Sequence, residues 1–304
     1  MIQHLIDGVL VGAIISLGAI GLTMVMHILR FANFSHAELL SVGAYAAFVL
    51  GPLIAGLSGA LEAGIGPLSL SWAVALAVPL AMAITGATAV LLDRIVFQRV
   101  RAKGGELSMV FASFGVALVM RNVIGLIFGL SPHLYSRDIA FAQIISYDPL
   151  IMVKPDQVAV LVLALILMLA LHLLLSRTTF GYSLRAVAEN PDLAQVTGVD
   201  LKAAIRAVWL IGGALAAAAG VFYGLTNQII PVMGRDLVLP IFAATIAGGI
   251  GSVYGAVLGG FLVGIAGNLA LLVLPPGYTP SLPFVIIIAV LLLRPHGLFG
   301  EARA

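Results

Sequence analysis

From residue 237 to residue 293 the chain carries no charged side chain, an uninterrupted run of 57 positions. A membrane-crossing helix needs about 20 apolar residues, so this run is long enough for two or three crossings if turns break it. Two more charge-free intervals separate Glu62 from Asp93 and Arg206 from Arg235. Soluble domains are about a quarter charged, whereas only 9% of this chain is charged and 62% is hydrophobic. A soluble domain is excluded. The pattern predicts a polytopic, all-α helical bundle in a membrane.

Apolar segments bounded by turn or charge signals fall at 6–28, 36–57, 68–92, 107–129, 157–176, 204–226, 237–250, 253–274 and 280–293. They predict eight or nine transmembrane segments within a single transmembrane domain over 1–304. Segment 237–250 would span only about 20 Å as a helix. It reads as a half-length helix, as one arm of a hairpin with 253–274, or as a tilted ordinary helix. Segment 36–57 contains Gly43, Gly51 and Pro52 and reads as broken or as kinked. Irregular backbone survives in a bilayer only where protein or a water-filled cavity surrounds it. The first segment has no basic run before it and no polar cleavage region after it, so a retained span is expected there.

Lysine and arginine predict the orientation. With the N-terminus outside, the inner loops hold Arg30, Arg94, Arg99, Arg101, Lys103, Arg177, Arg185, Lys202, Arg206, Arg294 and Arg303, eleven of the fifteen basic residues. The outer loops hold Arg137, Lys154 and Arg235, while Arg121 lies inside a span. Basic residues favour the cytoplasmic side, so the C-terminus is expected inside. The same scatter between spans argues against a nucleic-acid partner. Small residues recur every four positions at Gly8, Gly12 and Ser16, and again at Gly251, Gly255 and Gly259. That spacing lets helix backbones approach closely, which fits packing within one bundle better than a dedicated dimer motif.

Catalytic and cofactor signatures are missing. Lys103, Lys154 and Lys202 are not preceded by a phosphate-cradling glycine pattern, and Ser252 in GIGSVYG lacks the frame of a nucleophile elbow. The six histidines are isolated and cysteine is absent, so no metal site and no cofactor are expected. Glu38 is placed near the cytosolic start of the second span. Arg121 either faces a polar pathway or, as the simpler alternative, reaches to the outer headgroups. Buried polar groups need partners. A hydrated translocation path would supply them for Ser16, Thr23, Asn122, Thr226, Asn227, Thr245 and Asn268, although helix-to-helix hydrogen bonds would serve equally.

One stretch breaks the apolar pattern. Residues 183–206, SLRAVAENPDLAQVTGVDLKAAIR, contain six charges in 24 positions. Within it, NPDLAQVTG reads as a complete short helix. Asn190 caps the start and Pro191 suits the first helical position, where an N–H has no partner anyway. Asp192 faces the positive end of the helix dipole, and Gly198 supplies the left-handed residue that ends it. Leu193 and Val196 form a small apolar face. Either the segment lies on the membrane surface or that face docks a cytosolic partner.

These residues resemble a known family, the permease subunits of bacterial ABC importers for branched-chain amino acids, and the H-type subunit in particular. The resemblance rests on LRFANFSHAELLSVGAY (29–45), GYSLRAVAENPDLAQVTGVD (181–200), AGGIGSVYGAVLGG (247–260) and LLLRPHGLFG (291–300). It implies a multi-pass inner-membrane protein assembled with a second permease chain, two cytosolic ATPase subunits and an extracytoplasmic substrate-binding protein. It further implies a cytosolic coupling loop at about 177–203 that docks into the ATPase through Asn190, Pro191, Asp192, Leu193, Ala194, Val196 and Gly198. The wider importer pattern of Glu-Ala-Ala, three residues, then Gly is matched at Ala194 and Gly198, with Asp192 in place of Glu and the downstream Ile-x-Leu-Pro absent. Substrates across such relatives include branched-chain and other amino acids, urea and short amides. A self-contained carrier or channel for a small solute is the alternative.

Overall fold

The structure, a computed structural model, describes residues 1–136, 141–148, 150–294 and 296–299. Arg137 and Arg303, counted above in the charge asymmetry, lie outside the described residues. The chain runs α1 (Ile2–Leu29), α2 (His36–Leu57), α3 (Trp72–Leu92), α4 (Gln98–Lys103), α5 (Glu106–Phe128), β1 (Gln143–Tyr147) and β2 (Leu150–Val153). It continues as α6 (Pro155–Arg177), α7 (Thr179–Glu189), α8 (Pro191–Val196), α9 (Leu201–Thr226), α10 (Met233–Gly248), α11 (Val253–Ala270) and α12 (Leu282–Leu293). Among the described residues eight helices are long and apolar enough to cross a membrane. A 3-10 turn at Pro276–Ser281 runs into α12 and lengthens that span to 18 residues, Pro276–Leu293, so the exception among the nine apolar segments is α10. Its 16 residues span about 24 Å, short of a hydrocarbon core of about 30 Å.

Two local features differ from the sequence expectation and a third, the course of α2, decides between its two readings, each for an identifiable reason. The third span does not stop at Leu92 but continues through a π turn at Asp93–Phe97 into α4. There the buried Asp93 carboxylate accepts from Arg101 Nη2 at 2.6 Å and Gln98 Nε2 at 3.1 Å, which neutralises the charge that seemed to end the helix. Next, α2 runs unbroken through Pro52, because this proline falls near the helix end, where a single ladder bond is lost. Finally, the connection between α5 and α6 holds an antiparallel hairpin, β1–β2, with a bulge between Ile144 and Ser146. Gln3 clamps it to α1, donating to Met152 O at 2.9 Å and accepting from Met152 N at 3.0 Å.

The core is built around α1, in which every residue from Gly12 to Val25 is buried. A helix apolar on all sides is stable only when surrounded on all sides. The small-residue series explain how its neighbours come so close. A Cβ placed on Gly264 would lie 2.4 Å from Gly12 N and 2.5 Å from Gly8 O, and one on Gly260 would lie 2.2 Å from Ser16 Oγ. On its other side α11 meets α10, where a Cβ on Gly255 or Gly259 would fall 2.1 Å from the carbonyl oxygen of Gly248 or Ala244. Thus α11 is wedged between α1 and α10, and both series are consumed inside the bundle. Gly251 lies outside α11, in the turn that returns the chain from α10.

Two helices begin inside the bundle. His36 Nε2 lies 3.2 Å from Gly18 O, eleven residues before the end of α1, or about 16 Å along its axis. The chain therefore climbs back through Arg30–Ser35 before α2 starts. That irregular backbone is anchored by protein, as its depth requires: Ser113 Oγ accepts from Phe34 N at 3.1 Å, and Asn33 Oδ1 accepts from Ser35 N at 3.1 Å. The first turn of α10 meets α2 at this level, Gly234 N donating to Ser41 Oγ at 3.1 Å.

Candidate coupling surface and polar centre

The polar segment folds into two short helices joined at Asn190. Thr178 opens α7, its Oγ1 accepting from Gly181 N at 3.3 Å. Leu184, Val187 and Ala188 of α7 are buried against the bundle. Asn190 Oδ1 accepts from Leu193 N at 3.0 Å, and Pro191 occupies the first position of α8. Ala194 is buried, whereas Asp192, Leu193 and Val196 are exposed. Gly198 follows with φ of +93°, and Val199 N donates back to Ala194 O at 2.9 Å. So α7 uses its apolar face to hold the segment on the bundle, while α8 directs Leu193 and Val196, 60% and 85% exposed, away from it. Arg185 stacks on Tyr182, its guanidinium carbon 4.7 Å from the ring centroid, on the outward side of α7.

The seven polar residues assigned to a path are dispersed. Ser16 Oγ donates to Gly12 O at 2.7 Å and Val257 O at 2.9 Å, which ties α1 to α11. Thr23 Oγ1 accepts from Gly251 N at 2.9 Å, and Thr245 Oγ1 donates to Ala19 O at 3.3 Å. The Ser16 and Thr245 bonds join helices to one another, and the Thr23 bond ties α1 to the turn between α10 and α11. Asn122 Nδ2 donates to Leu118 O at 2.7 Å, and Asn268 Nδ2 to Gly264 O at 3.0 Å, each within its own helix. Thr226 and Asn227 sit together at the end of α9, where Asn227 Nδ2 donates to Thr226 Oγ1 at 3.0 Å. Asn122 stands on an outward groove, lined with Leu118, Val119, Val123 and Leu126.

A polar centre that the sequence did not reveal lies where α2, α5 and α10 meet. Glu38 is 1% exposed and stands in the first turn of α2, which starts alongside Gly18 of α1 and not at the end of that helix. Arg121 does not reach for headgroups. Its Nε donates to Glu38 Oε1 at 3.0 Å, and its Nη2 donates to the same oxygen. Glu38 Oε2 is buried and has no hydrogen-bond partner among the described residues. Gly234 crowds it so closely that a Cβ there would lie 2.7 Å away. Arg235 and Asp236, paired with each other at 3.1 Å, complete the charged groups acting on Glu38. Two unpaired-looking charges separated by 83 positions were the available signal. Charged residues inside apolar spans are costly alone, so each implied the other.

Residues 4–291 match the family described as branched-chain amino acid transport system, permease component. The high-affinity branched-chain amino acid transport permease BraD of Pseudomonas aeruginosa is 30% identical over 305 residues, covering 99% of this chain and 96% of that protein. LivH of Escherichia coli K12, from a system of the same description, is 29% identical over 313 residues with the same coverage, 99% and 96%. A more distant similarity, 33% over 138 residues, links 43% of this chain to 42% of LsrC, an autoinducer 2 import permease of Photorhabdus luminescens.

Proposed function

Because the chain belongs to the branched-chain amino acid transport permease family, we propose that it is the membrane-spanning subunit of an ATP-driven importer. Its cargo in this reading is a branched-chain amino acid or a related small amino acid, urea or amide, delivered to the cytoplasm. The membrane is a bacterial inner membrane. Partners are a second permease chain, two ATPase subunits bound on the cytosolic side and an extracytoplasmic binding protein. The observation that carries the reading is α8: a capped helix of six residues, too short to be stable alone in water, that presents exposed leucine and valine. Such a face needs a partner. In this reading the loop at 177–203 is the coupling element, and Asn190, Pro191, Asp192, Leu193, Ala194, Val196 and Gly198 shape it.

One observation favours a second reading. Glu38 is a buried carboxylate, and intramembrane carboxylates serve as proton carriers in self-contained transporters. Purified alone in liposomes, the chain is expected to show no uptake driven by a proton or sodium gradient, whereas the full complex takes up leucine only with ATP. Gradient-driven uptake by the isolated chain would favour the carrier.

Orientation is tested separately. The chain contains no cysteine, so single cysteines report cleanly. In intact cells an impermeant maleimide should label Tyr147→Cys, at the exposed tip of the β1–β2 hairpin, and should leave Gln195→Cys on α8 unlabelled until the membrane is opened. The reverse pattern would invert the proposed topology of outer N-terminus and cytosolic C-terminus.

A further inference from the structure

We propose that the Glu38–Arg121 pair is a transit site for zwitterionic amino acids, the solute carboxylate engaging Arg121 and its ammonium engaging Glu38 Oε2. This rests on the importer reading above and narrows its cargo from small polar solutes in general to those carrying both charges.

The geometry of the pair points there. Arginine and carboxylate gain most when two parallel N–H bonds reach two oxygens. Here both guanidinium bonds converge on Oε1 and leave Oε2 without a donor. A buried carboxylate oxygen without a partner is destabilising, so a clamp serving packing alone would be expected to use both oxygens. An ammonium group is the donor that this oxygen lacks. Access is asymmetric in the same sense: the Glu38 side chain is 1% exposed, but that of Arg121 is 21% exposed. In the proposed complex the solute carboxylate approaches along this exposed part of the Arg121 side chain.

Position and charge balance agree. Glu38 stands in the first turn of α2, two residues after His36, whose ring meets Gly18 O, about 16 Å from the C-terminal end of α1 by the rise of the helix, and it adjoins Gly234 in the first turn of α10. Helices that start within the bundle, with their amide ends converging, form solute sites at mid-depth in other transporters. The four charged groups there, Glu38, Arg121, Arg235 and Asp236, sum to zero. A zwitterion entering such a site exchanges one ion pair for two, so no charge is left unpaired in a low-dielectric region. Urea or an amide brings no charges to replace what it separates, and a buried ion that loses its partner is strongly disfavoured. A net anion or cation satisfies one member of the pair and strands the other.

The test uses the whole complex, reconstituted in proteoliposomes with ATP and the binding protein. Uptake is measured for radiolabelled leucine, isoleucine, valine, urea and acetamide. The native complex should take up the three amino acids and leave urea and acetamide at background. The double variant Glu38→Gln/Arg121→Gln removes both charges but preserves size and mutual hydrogen bonding. It should retain co-purification of the ATPase subunits and lose amino-acid uptake at least tenfold. Native uptake by this variant would reduce the pair to a packing clamp. So would ATP-driven uptake of urea or acetamide, without the amino acids, by the native complex, which would leave the importer reading intact. Should the double variant fail to assemble, Glu38→Asp decides. Retaining the charge but withdrawing it by one methylene should lower maximal leucine uptake about threefold at full assembly, and an unchanged maximum overturns the proposal. If the native complex takes up none of the five solutes with ATP, it is the importer reading that falls.

Discussion

Replacing Gly264 with valine should remove most of the membrane-inserted protein, while the same change at Gly267, one helical turn further on, should be tolerated. Both glycines lie in α11, so the change in helix propensity is shared and cancels. They differ in what a side chain meets. At Gly264 the first carbon alone would lie 2.4 Å from Gly12 N, with Gly12 Cα and Gly8 O both at 2.5 Å. At Gly267 it would meet nothing within 4 Å. Overpacking a core costs about 1–3 kcal/mol when side chains can shift. At Gly264 the obstacle is backbone, which has no rotamer to change, so α1 and α11 must separate. Because α1 is the buried centre of the bundle, that separation propagates to α9 and α10. Immunoblots of washed membranes should show at least a tenfold difference between the two variants. Equal abundance would mean that the α1–α11 contact does not hold the bundle together.

The second large effect concerns function without fold. Gly198→Val should leave membrane abundance normal, abolish uptake and reduce recovery of the ATPase subunits. A Cβ on Gly198 meets nothing within 4 Å, so no clash opposes the change. The cost is conformational: at φ of +93° a β-branched residue is strongly disfavoured. The turn that ends α8 would open, and with it the Val199 N to Ala194 O bond that returns the chain toward α9. Asn190→Ala is the milder partner. It removes the bond to Leu193 N, worth about 1 kcal/mol, and should weaken ATPase recovery only in part. Either change is small against the burial that holds the spans. If α8 instead lies on the membrane surface without docking, ATPase recovery will be indifferent to both substitutions. Undiminished uptake in Gly198→Val would sink the coupling assignment.

Much of this was legible in the residues because it is local. The spans follow from length and the lack of charge, and each of the nine apolar segments became a helix. In α8, start, first residue and stop were all readable, since a cap, a proline and a left-handed glycine act within one or two turns of their own chain. The β1–β2 hairpin was not legible. Its strands are short, and only their pairing and the clamp from Gln3 mark them.

The sequence by itself thus determined that the chain crosses a membrane several times as helices, that α10 is short, and that one polar segment is built differently from the rest. It could not say which face of a span meets protein and which meets lipid. In a soluble helix the buried face is the apolar one, but lipid is as apolar as a protein core, so a span can be apolar all round wherever it sits. Hence α1 and α12 read alike, yet α1 is enclosed and α12 is largely exposed. The same loss of contrast hid the roles of the polar residues. Ser16, Thr23 and Thr245 each had two readings, and only the approach of α10, α11 and the turn between them to α1 showed what their hydroxyls bond. Arg121 had two as well. Its pairing with Glu38 depends on the climb of residues 30–35, which carries the start of α2 to mid-depth, where an isolated charge is too costly to remain unpaired.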